Sequence, residues 1–281
     1  MISQNNKYRL HAIKTIMERV SQTRFWGLGI FVTLAVSLAF SSVLLVNFSR
    51  FTETNLITVE KQPLTAPILL SVILISLYLS LTISLNVSRE YSNNTIEMLF
   101  YGPVDESAYM LGNFFAQLKV FLYSLIGILV WLNLSIWLLN LDFRLDIFLM
   151  LGVSILMCGQ WVAFGLLVAS WGGKRRNTLV YFMLTILLIG GIQAGDFIAA
   201  TLVQIQSPTA TDPLVVARNV LSGINGLISW ISPYSQLSSA FEAILENSTS
   251  GFLGNLVLMF VEMILMLASS ILLLKKKGVR G

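Results

Sequence analysis

The chain is 281 residues long, 56% hydrophobic and only 11% charged, with a mean hydropathy of +0.78 and a formal net charge of +4. A soluble domain carries about 25% charged residues, so this chain cannot dress a globular surface in water and is built for lipid. A single cysteine, Cys158, and a single histidine, His11, exclude an intramolecular disulfide, cysteine and multi-histidine metal sites, and most histidine-based catalysis.

Residues 7–24 predict a basic amphipathic helix. Leu10, Ile13, Met17 and Val20 recur on one face, and Lys7, His11, Lys14 and Glu18 on another. Beside an apolar span this pattern places the helix flat on the membrane surface; a plain extension of the first span into water is the alternative. Residues 25–281 then form the membrane domain. Six stretches reach the roughly 20 apolar residues that cross a bilayer: 25–46, 66–87, 114–139, 147–171, 178–200 and 253–274. They must be helices, because an open strand edge leaves amides unpaired in lipid, and no alternating strand-length segments suggest a barrel. The first stretch is too long for a signal peptide and is expected to stay as an anchor.

Fourteen of the eighteen lysines and arginines fall on one side of this arrangement, in the N-terminal arm, at Arg89 and Lys119, at Lys174–Arg176 and in the tail Lys275–Arg280. Only Arg50, Lys61, Arg144 and Arg218 lie on the other. The positive-inside rule therefore puts both termini in the cytoplasm of a cell with this protein in its plasma (inner) membrane. The positive charge is topogenic and is no nucleic-acid footprint. Lys275–Lys277 can also attract anionic lipid headgroups.

The loop 88–112, between the second and third spans, has the most internal organisation. Asn94 can cap a helix, with Glu97 reaching back from the third position as in a capping box. Ile96, Leu99 and Phe100 form one apolar face, and Gly102-Pro103 stops the helix. Asp105 caps the next helix, which runs into span three. A helix over 95–101 with an apolar face at the cytoplasmic surface either docks on a partner or tucks against its own spans.

Within span five, Gly191 and Gly195 form a small-x-x-x-small pair that permits close helix approach, inside the chain or between subunits. Gln193, Asn133 and Gln160 are expected to hydrogen-bond between helices. Asp196 lies near the outer end of the same span. The segment 201–252 is too long for a turn. It holds an apolar stretch, 215–231, interrupted by Gly223 and Gly226, then a helix starting at Ser232 or Pro233 and running to Leu245. Its few charges suggest that it dips into the outer interface. Glu262 is the one ionisable residue deep within a span, where a charge costs ~3 kcal/mol unless it faces protein or water. It is either a pathway group or an interhelical structural bond.

Glu90, Asn94-Thr95, Glu97, Leu99 and Pro103-Val104, with Leu111-Gly112 entering span three, resemble the signature of the type-2 ABC exporter permeases. The family's small glycine is Asn94 here, and Asp105 and Glu106 stand where a basic residue is common. The resemblance implies that the 95–101 helix is a coupling helix held by a separate ATPase subunit, with Glu90, Asn94, Thr95, Ile96, Glu97, Leu99, Phe100 and Pro103 as coupling residues. It also implies an N-terminal interfacial helix, external re-entrant helices between spans five and six, two ATPase copies, and a second permease copy or paralogue. Spans one and five would border the dimer interface and the conduit, making Glu262, Asp196, Gln193, Gly191 and Gly195 pathway or interface candidates.

No catalytic constellation appears. Gly173-Lys174 is no phosphate loop, since Val168 occupies the first glycine position and Arg175 the hydroxyl position. ATP and magnesium would therefore sit on the partner, with no cofactor or metal on this chain. A channel or scaffold explains six spans without explaining a capped helix with an apolar face. A membrane-embedded transferase would gather polar residues at one depth, and a secondary transporter would show inverted repeats.

Overall fold

A computed structural model describes residues 2–25, 27–53, 64–93, 105–139, 145–206 and 213–277. Among these residues every regular element is helical, in the order α1 (Ile2–Phe25), α2 (Leu28–Glu53), α3 (Thr65–Ser92), α4 (Glu106–Leu139), α5 (Asp146–Gly172), α6 (Arg175–Gln206), α7 (Pro213–Ile228), α8 (Pro233–Leu245) and α9 (Thr249–Lys277). Six helices are long and apolar enough to cross a membrane: α2 to α6 and α9. All six expected spans are present. The predicted helix 95–101 lies outside the described residues.

The bundle is organised around α5, which packs against α3, α4, α6, α8 and α9. Two-thirds of its apolar stretch is buried (67%), against 11% for α6. α3 presents Ile68, Val72, Ile75, Leu79, Ile83 and Val87 to this core, all essentially inaccessible. Between them runs a second stripe, Ser76, Ser80, Ser84 and Ser88, also fully buried. Small residues four apart let neighbouring backbones approach closely. At the tightest point a Cβ added to Gly165 of α5 would lie 2.5 Å from the Ser80 carbonyl oxygen, and the Ser80 hydroxyl donates to the Trp161 carbonyl. Higher up, Ser41 of α2 bonds Ser71 at 2.7 Å and donates to the Pro67 carbonyl at 2.9 Å. Gly165→Val should therefore force α3 and α5 apart and destabilise the bundle by ~1–3 kcal/mol, the usual cost of overpacking, readable as a lower melting temperature in detergent. Gly152→Val, where an added Cβ meets nothing within 4 Å, should leave the melting temperature unchanged.

The glycine pair expected to bring helices together behaves differently. Added Cβ atoms at Gly190 and Gly191 meet nothing, and at Gly195 only Leu221 of α7, at 3.8 Å. No described helix packs closely on Gly191, so the notch opens outward. Asn133 likewise departs from expectation: it is exposed and donates to the Leu129 carbonyl of its own helix at 2.8 Å, because that face of α4 meets no described neighbour.

α4 has 34 residues, about 51 Å at 1.5 Å per residue, well beyond a hydrocarbon core of ~30 Å. Its first turns extend past the predicted span and carry α1. Ile13, Ile16, Met17 and Val20 lie on the partly buried face of α1, and an added Cβ at Gly112 would meet Ile16 at 2.8 Å. Leu10, predicted for that stripe, is instead 66% exposed, because the docking face continues through Ile16 and Ser21. α7 runs unbroken through Gly223 and Gly226. Each glycine costs a helix about 1 kcal/mol, and packing along α6 offsets it. α8 begins at Pro233, as expected, with extended backbone at Ser232 (φ −80, ψ 116).

Candidate functional site

Two polar constellations stand out in this apolar bundle, one beside residues 94–104 and one near its middle. The first brackets residues 94–104. Asp105 accepts the backbone N–H of Ala108 at 2.8 Å, the predicted cap of α4. Its other oxygen accepts the Ser107 hydroxyl at 2.8 Å and pairs with Arg9 of α1 at 3.0 Å. Arg9 also donates to Ser107. On the other flank the phenol of Tyr109, 3% exposed, donates to the Glu90 carboxylate of α3. Arg24 of α1 lies nearby: burial lowers its pKa from the ordinary guanidinium value, and Tyr78 and the Glu90 carboxylate act in the opposite direction. Glu90, named from sequence, thus stands in a real constellation. Asn94, Thr95, Ile96, Glu97, Leu99, Phe100 and Pro103 lie outside the described residues. Sequence reasoning missed Arg9 and Tyr109, since their partners are far away in the chain.

The second constellation joins α5, α8 and α9. Gln160, fully buried, donates to Gln236 Oε1 at 2.7 Å and to Glu262 Oε2 at 3.0 Å. Gln236, 2% exposed, donates in turn to the Trp230 carbonyl. Glu262 stands midway along α9, about 20 Å from Thr249 and about 20 Å from Lys275 at 1.5 Å per residue. The first turn of α8 therefore reaches the middle of α9. A parallel set ties α6 to the same turn: Gln193 donates to Ser232 Oγ at 2.9 Å and to Ser235 Oγ at 2.7 Å. This explains why Ser232, at the N-cap of α8, makes no side-chain bond to its own helix. Asn225 of α7 donates to Asp196 at 2.6 Å.

Gln160 and Gln193 thus bond between helices as expected, and Glu262 and Asp196 join them. Gly191 and Gly195 belong to neither set. Gln236 and Asn225 were missed, because their partners Gln160 and Asp196 lie far away in the chain. No group of three or more His, Cys, Asp or Glu side chains gathers among the described residues. Cys158 is buried in the core. The chemistry on offer is hydrogen bonding between helices.

The model of a family described as ABC-2 family transporter protein matches residues 52–272. No curated protein matches the chain. The match runs from the end of α2 through nearly all of α9 and leaves α1 outside it. Together with six helices suited to cross a membrane, it makes this chain a multi-pass membrane protein of the ABC-2 transporter family, a permease-type transport component of the kind that associates with an ABC ATPase.

Proposed function

We propose that this permease belongs to an ATP-driven exporter and that residues 94–104 are the element gripped by its ATPase. The observation that carries the reading is the bracket on either side of that segment. Glu90–Tyr109 ties its leading flank to α4, and Arg9–Asp105 ties its trailing flank to α1. A push on the segment would load three helices at once. Glu90 would be a positioning residue there; Asn94, Thr95, Ile96, Glu97, Leu99, Phe100 and Pro103 would form the gripped surface.

The working assembly has two permeases, or this chain and a paralogue, with two ATPase subunits that hold ATP and magnesium. The largely exposed apolar faces of α2 and α6 and the open notch at Gly190 and Gly191 support a partner there. The excess of lysine and arginine in α1, at Lys174–Arg176 and at the end of α9 supports a plasma membrane placement with both termini cytoplasmic. In that orientation α7 and α8 enter the membrane from outside and return, as re-entrant helices. ATP binding would close the ATPase pair and bias the membrane halves between inward- and outward-facing states, with Glu262, Gln193 and Asp196 moving along the pathway or its wall.

The test is co-expression with an ABC ATPase encoded beside this gene. The expected result is a complex purified from membranes with paired permeases and paired ATPases that hydrolyses ATP. Recovery of the permease free of any ATPase, with the ATPase left soluble, would overturn the reading in favour of a membrane scaffold.

A further inference from the structure

Between α8 and α9 lies a cleft of about 570 Å³, within the ~300–1,000 Å³ range of small-molecule sites. Its walls are unlike at the two levels. Val257, Leu258 and Val261 of α9 line it with aliphatic surface, and the exposed Trp230 ring closes the side by the first turn of α8. Ser239 of α8 and Asn255 of α9 are its free polar groups, and neither hydrogen-bonds any described residue. Asn255 is six residues into α9, about 9 Å below its start. A carboxamide without a partner at that depth in an apolar bundle is costly unless a ligand satisfies it.

The room is made by glycine. Gly251 and Gly254 face the cleft, and an added Cβ at Gly254 meets nothing within 4 Å. No charged side chain lines the cleft; along α8, Glu242 lies one turn beyond Ser239 and Glu246 caps the helix. At that end of α8 a head group would approach two carboxylates and no described cation of α8.

We propose that this cleft holds one phospholipid of the surrounding bilayer with a net-neutral, ammonium-bearing head. The ammonium faces Glu242 and Glu246, Ser239 and Asn255 donate to the phosphate and ester oxygens, and one acyl chain lies along Val257, Leu258 and Val261. The site adjoins Gln236, so an occupied cleft buttresses the bonded turn of α8. The inference requires only the membrane placement of the family and is independent of how the ATPase docks.

The full chain, purified in mild detergent without its ATPase, is titrated with phosphatidylethanolamine and phosphatidylglycerol of matched chains and examined by native mass spectrometry. Phosphatidylethanolamine should be retained about tenfold better, and Asn255→Leu should weaken retention about tenfold, the scale of one charge-assisted hydrogen bond. Gly254→Phe should fill the cleft and remove the adduct with the melting temperature unchanged. Equal retention of both lipids, or adducts undiminished in whichever variant keeps its wild-type melting temperature, would overturn the proposal.

Discussion

Replacing Leu99 and Phe100 together with aspartate should abolish co-purification of the proposed ATPase while the permease still reaches the membrane at wild-type level. Each side chain supplies ~1.5–3 kcal/mol when buried at an interface, and each aspartate adds the cost of burying an unpaired charge. A loss of ~4 kcal/mol already weakens an interface about a thousandfold. Membrane insertion is spared because residues 94–104 lie between two spans and outside all six apolar helices. Quantitative pull-down from solubilised membranes, scored against total permease, reads both halves of the result. Full retention of the ATPase would end the gripped-segment reading. Arg9→Ala is the informative companion: its ion pair is nearly half exposed on both sides, so its loss costs stability only about 0–1 kcal/mol. With the ATPase still bound, this variant should hydrolyse ATP with less transport per cycle.

Gln160→Leu carries the second large effect, on stability. Gln160 is the hub of its constellation, giving one N–H to Gln236 and one to Glu262. Removing it strands Gln236 Oε1 in apolar surroundings and takes one bond from the part-buried Glu262, which keeps its bond to Gln236, for a loss of about 1–3 kcal/mol. Measured interhelical hydrogen bonds in membranes are often weaker, averaging about 0.6 kcal/mol, so the stranded oxygen and not the lost bonds sets the size. The same logic makes a reverse prediction. Replacing Gln160, Gln236 and Glu262 all with leucine should restore much of the stability, since only the Trp230 carbonyl then loses its partner. Denaturation in mixed micelles reads both variants. Three additive losses would refute the hub.

How much of this could be read along the chain depends on whether the signal is local. The six spans are local: twenty apolar residues in a row have one physical use, and every one of them is present. Where a helix leaves the bilayer without stopping, the signal fades. The apolar span is placed from residue 114, whereas α4 already begins at Glu106, at the expected Asp105 cap, because its first turns are held by α1 and not by lipid. The cap at Asp105 and the start of α8 at Pro233 were legible for the opposite reason, as both are set by neighbours within a few residues.

Pairings across the bundle were not legible. Gln160 and Gln193 announce themselves as polar residues in spans, yet nothing nearby says that their partners are Gln236 and Ser232. Glycine spacing was ambiguous in the same way. Gly191 and Gly195 state that a close approach is possible, whereas the approach is made at Gly165 against the serine stripe of α3. That stripe, four serines at intervals of four on an otherwise aliphatic helix, was the better signal.

The Gly165–Ser80 contact has a mechanical consequence. At that point the two backbones meet with no long side chain between them to deform, so a load on α3 is passed directly to α5. The least buried apolar stretches are those of α6, at 11%, and of α2 and α9, at 22%, so compliance is expected in these helices. A rearrangement of the bundle would then keep the Gly165–Ser80 contact and move the less buried helices about it.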